Sequence, residues 1–411
     1  MKNSIKLEYY PQLDEKLVEE SVKIAQEKKS KWDIPFFFDT KSYVDLDNIR
    51  QTANSIKVEN IKNIIVLGTG GSIQTFLALK HLSPKKIFPI TSSRAVELKG
   101  CLDKTTPNDS IVIPISRGGE TLDINSTIGI FLKKGYKFLG LSSMGAMNKI
   151  LQRIGCPILD VPNLTGRFAG SVTNVGIVPA FISGIKVEDF IKGLENGYTL
   201  FSNYKKNLAL EFSTYLFNLY KRGYNVIFSM PYSKNLEGIT GLWVQCISES
   251  TGKDEKGMIG TYQSAPMCQH SVLEYLLGGT KGIVIPVLWT VENELQDLSL
   301  ESSIEYVNGK SAQTIVNYQA DATFQALIQQ CVPASKISIE TSKEMHMGML
   351  IAFILSSVYY LCLLLDVNWA NNPKVIIGKE ICNQALKDNI NSEERERKRK
   401  SIALERFKNF F

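Results

Sequence analysis

Residues 64–72 read I-I-V-L-G-T-G-G-S. A short, uncharged, β-branched run predicts a strand buried on both faces, and the glycines and serine after it turn the chain into a helix. A helix entered this way offers backbone N–H groups and the positive end of its dipole to an anion. The turn is not a dinucleotide fingerprint: Ile73 stands at the third glycine position, and the following F-P-I-T-S-S (88–93) ends without an acid. It is not a P-loop either, because no Lys-Ser/Thr pair follows the glycines. At this point a tight turn without a ligand stays open.

Outward from this stretch the same alternation repeats. S-I-V-I-P-I-S (110–116), K-F-L-G-L-S-S (137–143) and P-I-L-D-V (157–161) read as further strands with helices between them. After a helical stretch near 186–222 come N-V-I-F-S-M (225–230), G-I-V-I-P-V-L (282–288) and K-I-S-I-E (336–340). The pattern predicts two stacked α/β units, each a parallel sheet covered by helices. The expected organisation is an N-terminal helical segment (1–60), a first domain (61–190), a second (191–380) and a C-terminal helical tail (381–411). Gly348–Leu365 runs without a charge and only just reaches the length of a membrane span. No basic cluster flanks it, and a helix buried in an α/β core is expected. The run E-E-R-E-R-K-R-K (393–400) mixes both signs, as a solvated helix face does.

The chain has 411 residues, 44% hydrophobic and 21% charged, which excludes disordered and fibrous classes. The net charge of +6, from 47 basic and 41 acidic residues, fits a small anionic ligand at least as well as a nucleic acid, whose binders usually concentrate more basic charge on one face. Seven scattered cysteines without a C-x-x-C pair and three histidines argue against a metal site. The N-terminus lacks an apolar stretch, and a reducing cytoplasm is expected.

A second turn, I-S-R-G-G-E-T (115–121), also leaves a strand for a helix. It offers hydroxyls at Ser116 and Thr121, a guanidinium at Arg117, amides at Gly118 and Gly119, and Glu120. Two such turns at the carboxyl ends of neighbouring parallel strands form the place where open sheets bind ligands. Their donors suit a phosphomonoester. Elsewhere, W-V-Q-C-I-S-E-S-T-G-K-D (243–254) reads as a helix ending at Gly252, with Gln245 and Glu249 on one face. A-P-M-C-Q-H-S (265–271) puts His270 in a loop. T-G-R-F-A-G-S (165–171) sets Arg167 between glycines, and N-N-P-K-V-I-I-G-K-E (371–380) brings Lys379 just after a glycine.

These segments, in this order, resemble the phosphoglucose isomerase (glucose-6-phosphate isomerase) family, from about Val66 to Lys379. The resemblance implies two sugar-isomerase (SIS) domains of flavodoxin-like type. It places the catalytic base on Glu249, ring opening on His270 with Lys379, and enediolate stabilisation on Arg167. It implies a phosphate pocket of Gly71, Ser72 and Ser116–Thr121, with Gln245 lining the sugar site beside Gly166 and Asn372. The sequence departs from the family at Arg117 and Gly118, where lysine and threonine are usual; at Thr165, where a glycine is usual; at Asn372, usually glutamine; and at Ile376, usually an acid. Arginine still serves phosphate through its fork.

The implied activity is interconversion of glucose 6-phosphate and fructose 6-phosphate in glycolysis and gluconeogenesis. It needs no cofactor or metal, and it implies a cytoplasmic homodimer with a shared active site and neither membrane nor nucleic-acid partner. Three alternatives remain open: a bifunctional glucose/mannose-6-phosphate isomerase, a non-catalytic SIS-type sugar-phosphate sensor, and an aminosugar isomerase. The last, in its synthase form, needs a glutamine-hydrolysing domain, for which the segment before the first sheet is too short.

Overall fold

The structure, a computed structural model, describes residues 4–32, 35–388 and 397–403. Its N-terminus corrects one expectation. The segment expected to be helical begins instead with a strand, β1 (Ile5–Tyr10). The reason is the local period: Ile5, Leu7 and Tyr9 turn inward while Lys6 stays exposed beside them, an alternation of two that a helix cannot present to one face. Helices Glu15–Lys28 and Leu46–Ser55 follow.

Six strands then build the first sheet region: β2 (Asn63–Leu67), β3 (Lys86–Ile90), β4 (Ser110–Pro114), β5 (Lys137–Phe138), β6 (Gly140–Leu141) and β7 (Ile158–Leu159). The order is β3-β2-β4-β5, all parallel, with Leu67 opposite both Ile90 and Pro114. A parallel bridge from Ile115 to Leu141 carries the sheet on through the β6–β7 pair. Every residue of β2 and β4 is buried, which accounts for their uninterrupted apolar runs. The chain leaves β2 for one neighbour and returns to its other side at β4, so the strand order reverses there.

The second sheet repeats the scheme with β8 (Val226–Pro231), β9 (Ile259–Tyr262), β10 (Val284–Val291) and β11 (Ala334–Ile339). Its order is β1-β11-β10-β8-β9, parallel except for β1, which closes the edge antiparallel to β11. The reversal falls between β8 and β10. Between the sheets lies a continuous core of helices. Glu344–Leu365, of 22 residues, runs through it, and its 18-residue window of mean hydropathy 2.2 is entirely buried.

Met1–Ala370 form one compact unit, which holds both sheets, and Asn371–Phe411 a second. In the second unit Ile376–Lys387 is a helix with no buried residue. The charged run at 393–400 lies partly outside the described residues.

Candidate active site

The turn after β2 is shaped by what it touches. A Cβ on Gly71 would stand 2.4 Å from the Arg167 amide nitrogen and 2.8 Å from the Gly166 carbonyl oxygen. Only glycine lets the backbone of the first turn lie against the T-G-R segment. At the neighbouring Gly70, a Cβ would lie 3.1 Å from Gln245 Nε2. Three segments far apart in sequence therefore meet at the carboxyl end of β2.

The turn after β4 is anchored independently. The Ser116 N–H donates to the Leu141 carbonyl at 3.0 Å, Ser142 Oγ donates to the Ser116 carbonyl at 3.0 Å, and Ser116 Oγ lies 3.2 Å from Thr121 Oγ1. Gly119 has φ +71°, and a Cβ there would overlap the Met144 carbonyl oxygen at 1.9 Å. Glu120 is engaged away from the turn's hydroxyls, since its Oε1 accepts the Ala146 N–H at 2.8 Å. That carboxylate fastens the turn to the next loop. Gly118 is different: a Cβ there meets nothing within 4 Å.

The helix Glu237–Thr251 presents the third part. Gln245 Nε2 donates to Glu249 Oε2 at 3.1 Å, as the helical spacing predicts. Gln245 Oε1 is buried and has no hydrogen-bond partner among the described residues. Glu249 Oε1 lies 3.8 Å from Arg167 Nη1; the arginine side chain is 3% exposed and that of the glutamate 21%. The cation is thus sealed in protein while the carboxylate stays within reach of a ligand.

Arg167 is held rigidly. Its Nε donates to Ser250 Oγ and its Nη2 to the Trp369 carbonyl, both at 2.7 Å. Beside it, Phe168 and Trp369 meet edge to face, and both rings pack on Phe37. Burial pulls the Arg167 pKa below its ordinary value, and Glu249 opposes that pull. Arg117 is also lowered, first by burial and then by the charge of Arg167, again against Glu249. Two guanidiniums and one carboxylate therefore share one electrostatic neighbourhood, and the second turn belongs to it.

Three features have no counterpart in the sequence reading. Ser250 and the Trp369 carbonyl, which fix Arg167, carry no signal in residue type alone, although Ser250 stands in the quoted E-S-x-G-K run. Lys253, the lysine of that run, donates to the Ser250 carbonyl. Burial lowers its pKa to about 8, with Arg167 adding to the shift and Cys362 and Glu249 opposing it. Its proximity to Arg167 emerges only when the helix is placed.

The remaining expected residues lie on other segments of the chain. His270 ends the short Met267–His270 helix with an exposed side chain and no hydrogen-bond partner among the described residues. Its neighbour Gln269 turns inward instead and donates to Tyr232 Oη at 2.9 Å. Asn372 and Lys379 are exposed residues of the second unit. A cavity of about 670 Å³ lies behind the arginine loop, lined among others by Phe36, Phe38, Thr165 and Trp369. It contains none of the titratable groups named above. Among the described residues, no cluster of three His, Cys, Asp or Glu side chains is arranged to hold a metal ion.

No family model matches the sequence. Individual proteins do. The glucose-6-phosphate isomerase of Methanocaldococcus jannaschii is 27% identical over 344 residues, covering 79% of this chain and 84% of that protein. That of Mycoplasmopsis pulmonis is 28% identical over 366 residues, covering 82% and 85%. Among solved structures, a hypothetical protein of Thermus thermophilus superposes with a TM-score of 0.82 at 20% identity, covering 93% of this chain and 100% of that one. A glucose-6-phosphate isomerase of Chlamydia trachomatis gives 0.77 at 18% identity, covering 98% and 92%. The fold and the crevice at β2 and β4 define the class, a protein of two SIS-type α/β sheets. The sequence similarity over four-fifths of the chain goes further: the relatives it matches are named glucose-6-phosphate isomerases.

Proposed function

We propose that the chain interconverts glucose 6-phosphate and fructose 6-phosphate, moving a proton between C1 and C2 through an enediolate, with Glu249 as the base and Arg167 as the fixed cation. The observation that carries this reading is the pairing of a buried, doubly anchored guanidinium with a reachable carboxylate 3.8 Å away. A cation that does not move as charge develops stabilises an oxyanion without reorganisation. A carboxylate held by Gln245 keeps a defined direction for taking and returning the proton. The unpaired Gln245 Oε1 accepts a sugar hydroxyl, beside Gly166.

Gly71, Ser72 and Ser116–Thr121 receive the 6-phosphate, and Arg117 supplies its positive charge. Binding there is remote from C1 and C2 and holds the open chain in register. His270 and Lys379 open the ring, with Asn372 near the sugar. The enzyme acts in glycolysis and gluconeogenesis in the cytoplasm, a compartment that suits its free cysteines.

A homodimer completes the site: His270 of one subunit serves the crevice of the other. Exposed Ile259, Tyr262 and Met267 flank the histidine loop, an apolar surface of the kind that subunits cover. The test of the activity is fructose 6-phosphate formation from glucose 6-phosphate, run beside mannose 6-phosphate. Binding of both sugars without turnover would make the protein a sensor. The test of the dimer mixes inactive Glu249→Gln and His270→Ala chains. Donation across the interface restores roughly a quarter of wild-type activity, because two-fold mixing leaves one intact site in half the dimers; donation within one chain restores none.

A further inference from the structure

The second sheet reverses its strand order between β8 and β10, just as the first does between β2 and β4. The loops after β8, β10 and β11 meet at this crevice. Glu294, after β10, sits where the second phosphate turn sits in the first sheet. Asn235 Nδ2 donates to its Oε1 at 2.7 Å, the Leu295 N–H donates to the same oxygen at 2.9 Å, and Ser342 Oγ donates to it at 3.2 Å. Ser233 Oγ donates to Oε2. His81 lies close by but bonds the Ser342 carbonyl at 2.9 Å rather than the carboxylate. Burial alone raises a carboxyl's pKa, yet these four donors hold Glu294 below its ordinary value.

Two hydroxyls, a side-chain amide and a backbone amide converging on one carboxylate make an oxyanion cradle in which every bonding donor is neutral. We infer that the β8/β10 crevice is a duplicate of the first sheet's anion cradle, occupied by the chain's own Glu294 side chain in place of an external oxyanion such as phosphate. The filled cradle has a structural task. Ser233 and Asn235 lead directly into the helix Glu237–Thr251, which carries Gln245 and Glu249, and Ser342 stands just before the helix Glu344–Leu365. One carboxylate therefore ties the starts of both helices to the end of β10.

The experiment counts phosphate on the 411-residue chain by calorimetric titration with inorganic phosphate. Glu294→Gly should bind one phosphate per chain more than wild type, and phosphate should raise its melting temperature more than equal ionic strength of chloride does. Adding Ser233→Ala and Ser342→Ala should weaken that extra site at least about tenfold, the effect of losing hydrogen bonds to a charged group. A folded Glu294→Gly chain with the wild-type stoichiometry overturns the inference. Should that variant not fold in either salt, Glu294→Gln decides, since it keeps the shape and removes the charge. A fall of its melting temperature by several degrees, with no extra phosphate bound, supports the internal anion; a melting temperature equal to wild type overturns it.

Discussion

At the carboxyl ends of β2 and β4 the loops hold hydroxyls, amides and a guanidinium around an open crevice. At the equivalent ends of β8 and β10 they draw Ser233, Asn235 and Ser342 together onto Glu294. The two sheets share a point of reversal, so topology provides a crevice in each. What differs is whether a carboxylate of the chain itself takes the loop donors. In the second crevice the oxyanion is already supplied. In the first, burial and then the charge of Arg167 lower the Arg117 pKa, and an incoming anion relieves that strain on the cation. A fold supplies places for sites, and the residues at its loops decide which place becomes one.

The largest effect expected from this contrast lies at the base. Glu249→Gln should fold, bind 6-phosphorylated sugars as wild type does, and lose at least about 10²-fold in kcat, the lower bound for removing a positioned general base. Steady-state kinetics with fructose 6-phosphate measures this. Turnover at near wild-type rates would move the chemistry out of the first crevice altogether.

The serines sharpen the comparison directly. On the proposed reading Ser72→Ala and Ser116→Ala should each raise KM about tenfold or more with a smaller change in kcat, since each would remove a hydrogen bond to a charged phosphate, worth about 1.5–3 kcal/mol. Their urea midpoints should stay close to wild type. Ser342→Ala should do the reverse: KM unchanged, and unfolding free energy lower by about 1–2 kcal/mol because a partly buried carboxylate loses a donor. Equal KM effects in both crevices would erase the distinction between an open site and a filled one.

How much of this is legible in the sequence differs between the same two regions. The strands at 64–68 and 110–116 stand out because a strand buried on both faces favours an unbroken apolar run. The turns after them carry glycines, whose absent side chains are themselves a signal. Gln245 and Glu249 are readable as a pair because helix geometry is local. β1 is hard to read because a short alternating run is a weak signal beside the helices that follow, and its partner β11 lies near the other end of the chain. Glu294 is invisible for the same reason. It is one acid among many until Ser233 and Ser342, 61 and 48 positions away, converge on it. The anchoring of Arg167 by Ser250 and the Trp369 carbonyl likewise belongs to tertiary structure, and a carbonyl has no residue identity to read.

A smaller effect tests the floor of the open crevice. Burial lowers the Lys253 ammonium from its ordinary 10.5 to about 8, with the nearby Arg167 adding to the shift. Between those two values the unfolded chain binds the proton more tightly than the folded one, so this residue's contribution to stability rises with pH from about 8 to about 10.5 and is constant below 8. Lys253→Met removes that dependence. Its stability relative to wild type should therefore be highest at neutral pH and decline as the pH is raised through that window, read from urea unfolding at several pH values. A difference independent of pH across that range would mean the lysine is not held against its charge.

The smallest effect concerns a side chain that is missing. Gly118 stands where the resembled family carries a threonine, and a Cβ at this position meets nothing within 4 Å. No left-handed backbone demands glycine there, in contrast to Gly119 one residue on. Gly118→Thr should fold with unchanged or slightly higher stability, since the substitution removes freedom from the unfolded chain without strain in the folded one. Its hydroxyl would join Ser116 and Thr121 around the phosphate. A neutral donor to a charged group that competes with water adds about 1 kcal/mol, so KM for fructose 6-phosphate should fall several-fold with kcat nearly constant. Were KM to rise instead, the open space at Gly118 would be occupied by the sugar phosphate itself. The glycine would then be the means by which this crevice makes room for the longer Arg117 side chain beside its ligand. Were KM unchanged, the phosphate would sit nearer Ser72 than Ser116. The sign of one KM ratio thus locates the anion between the two turns.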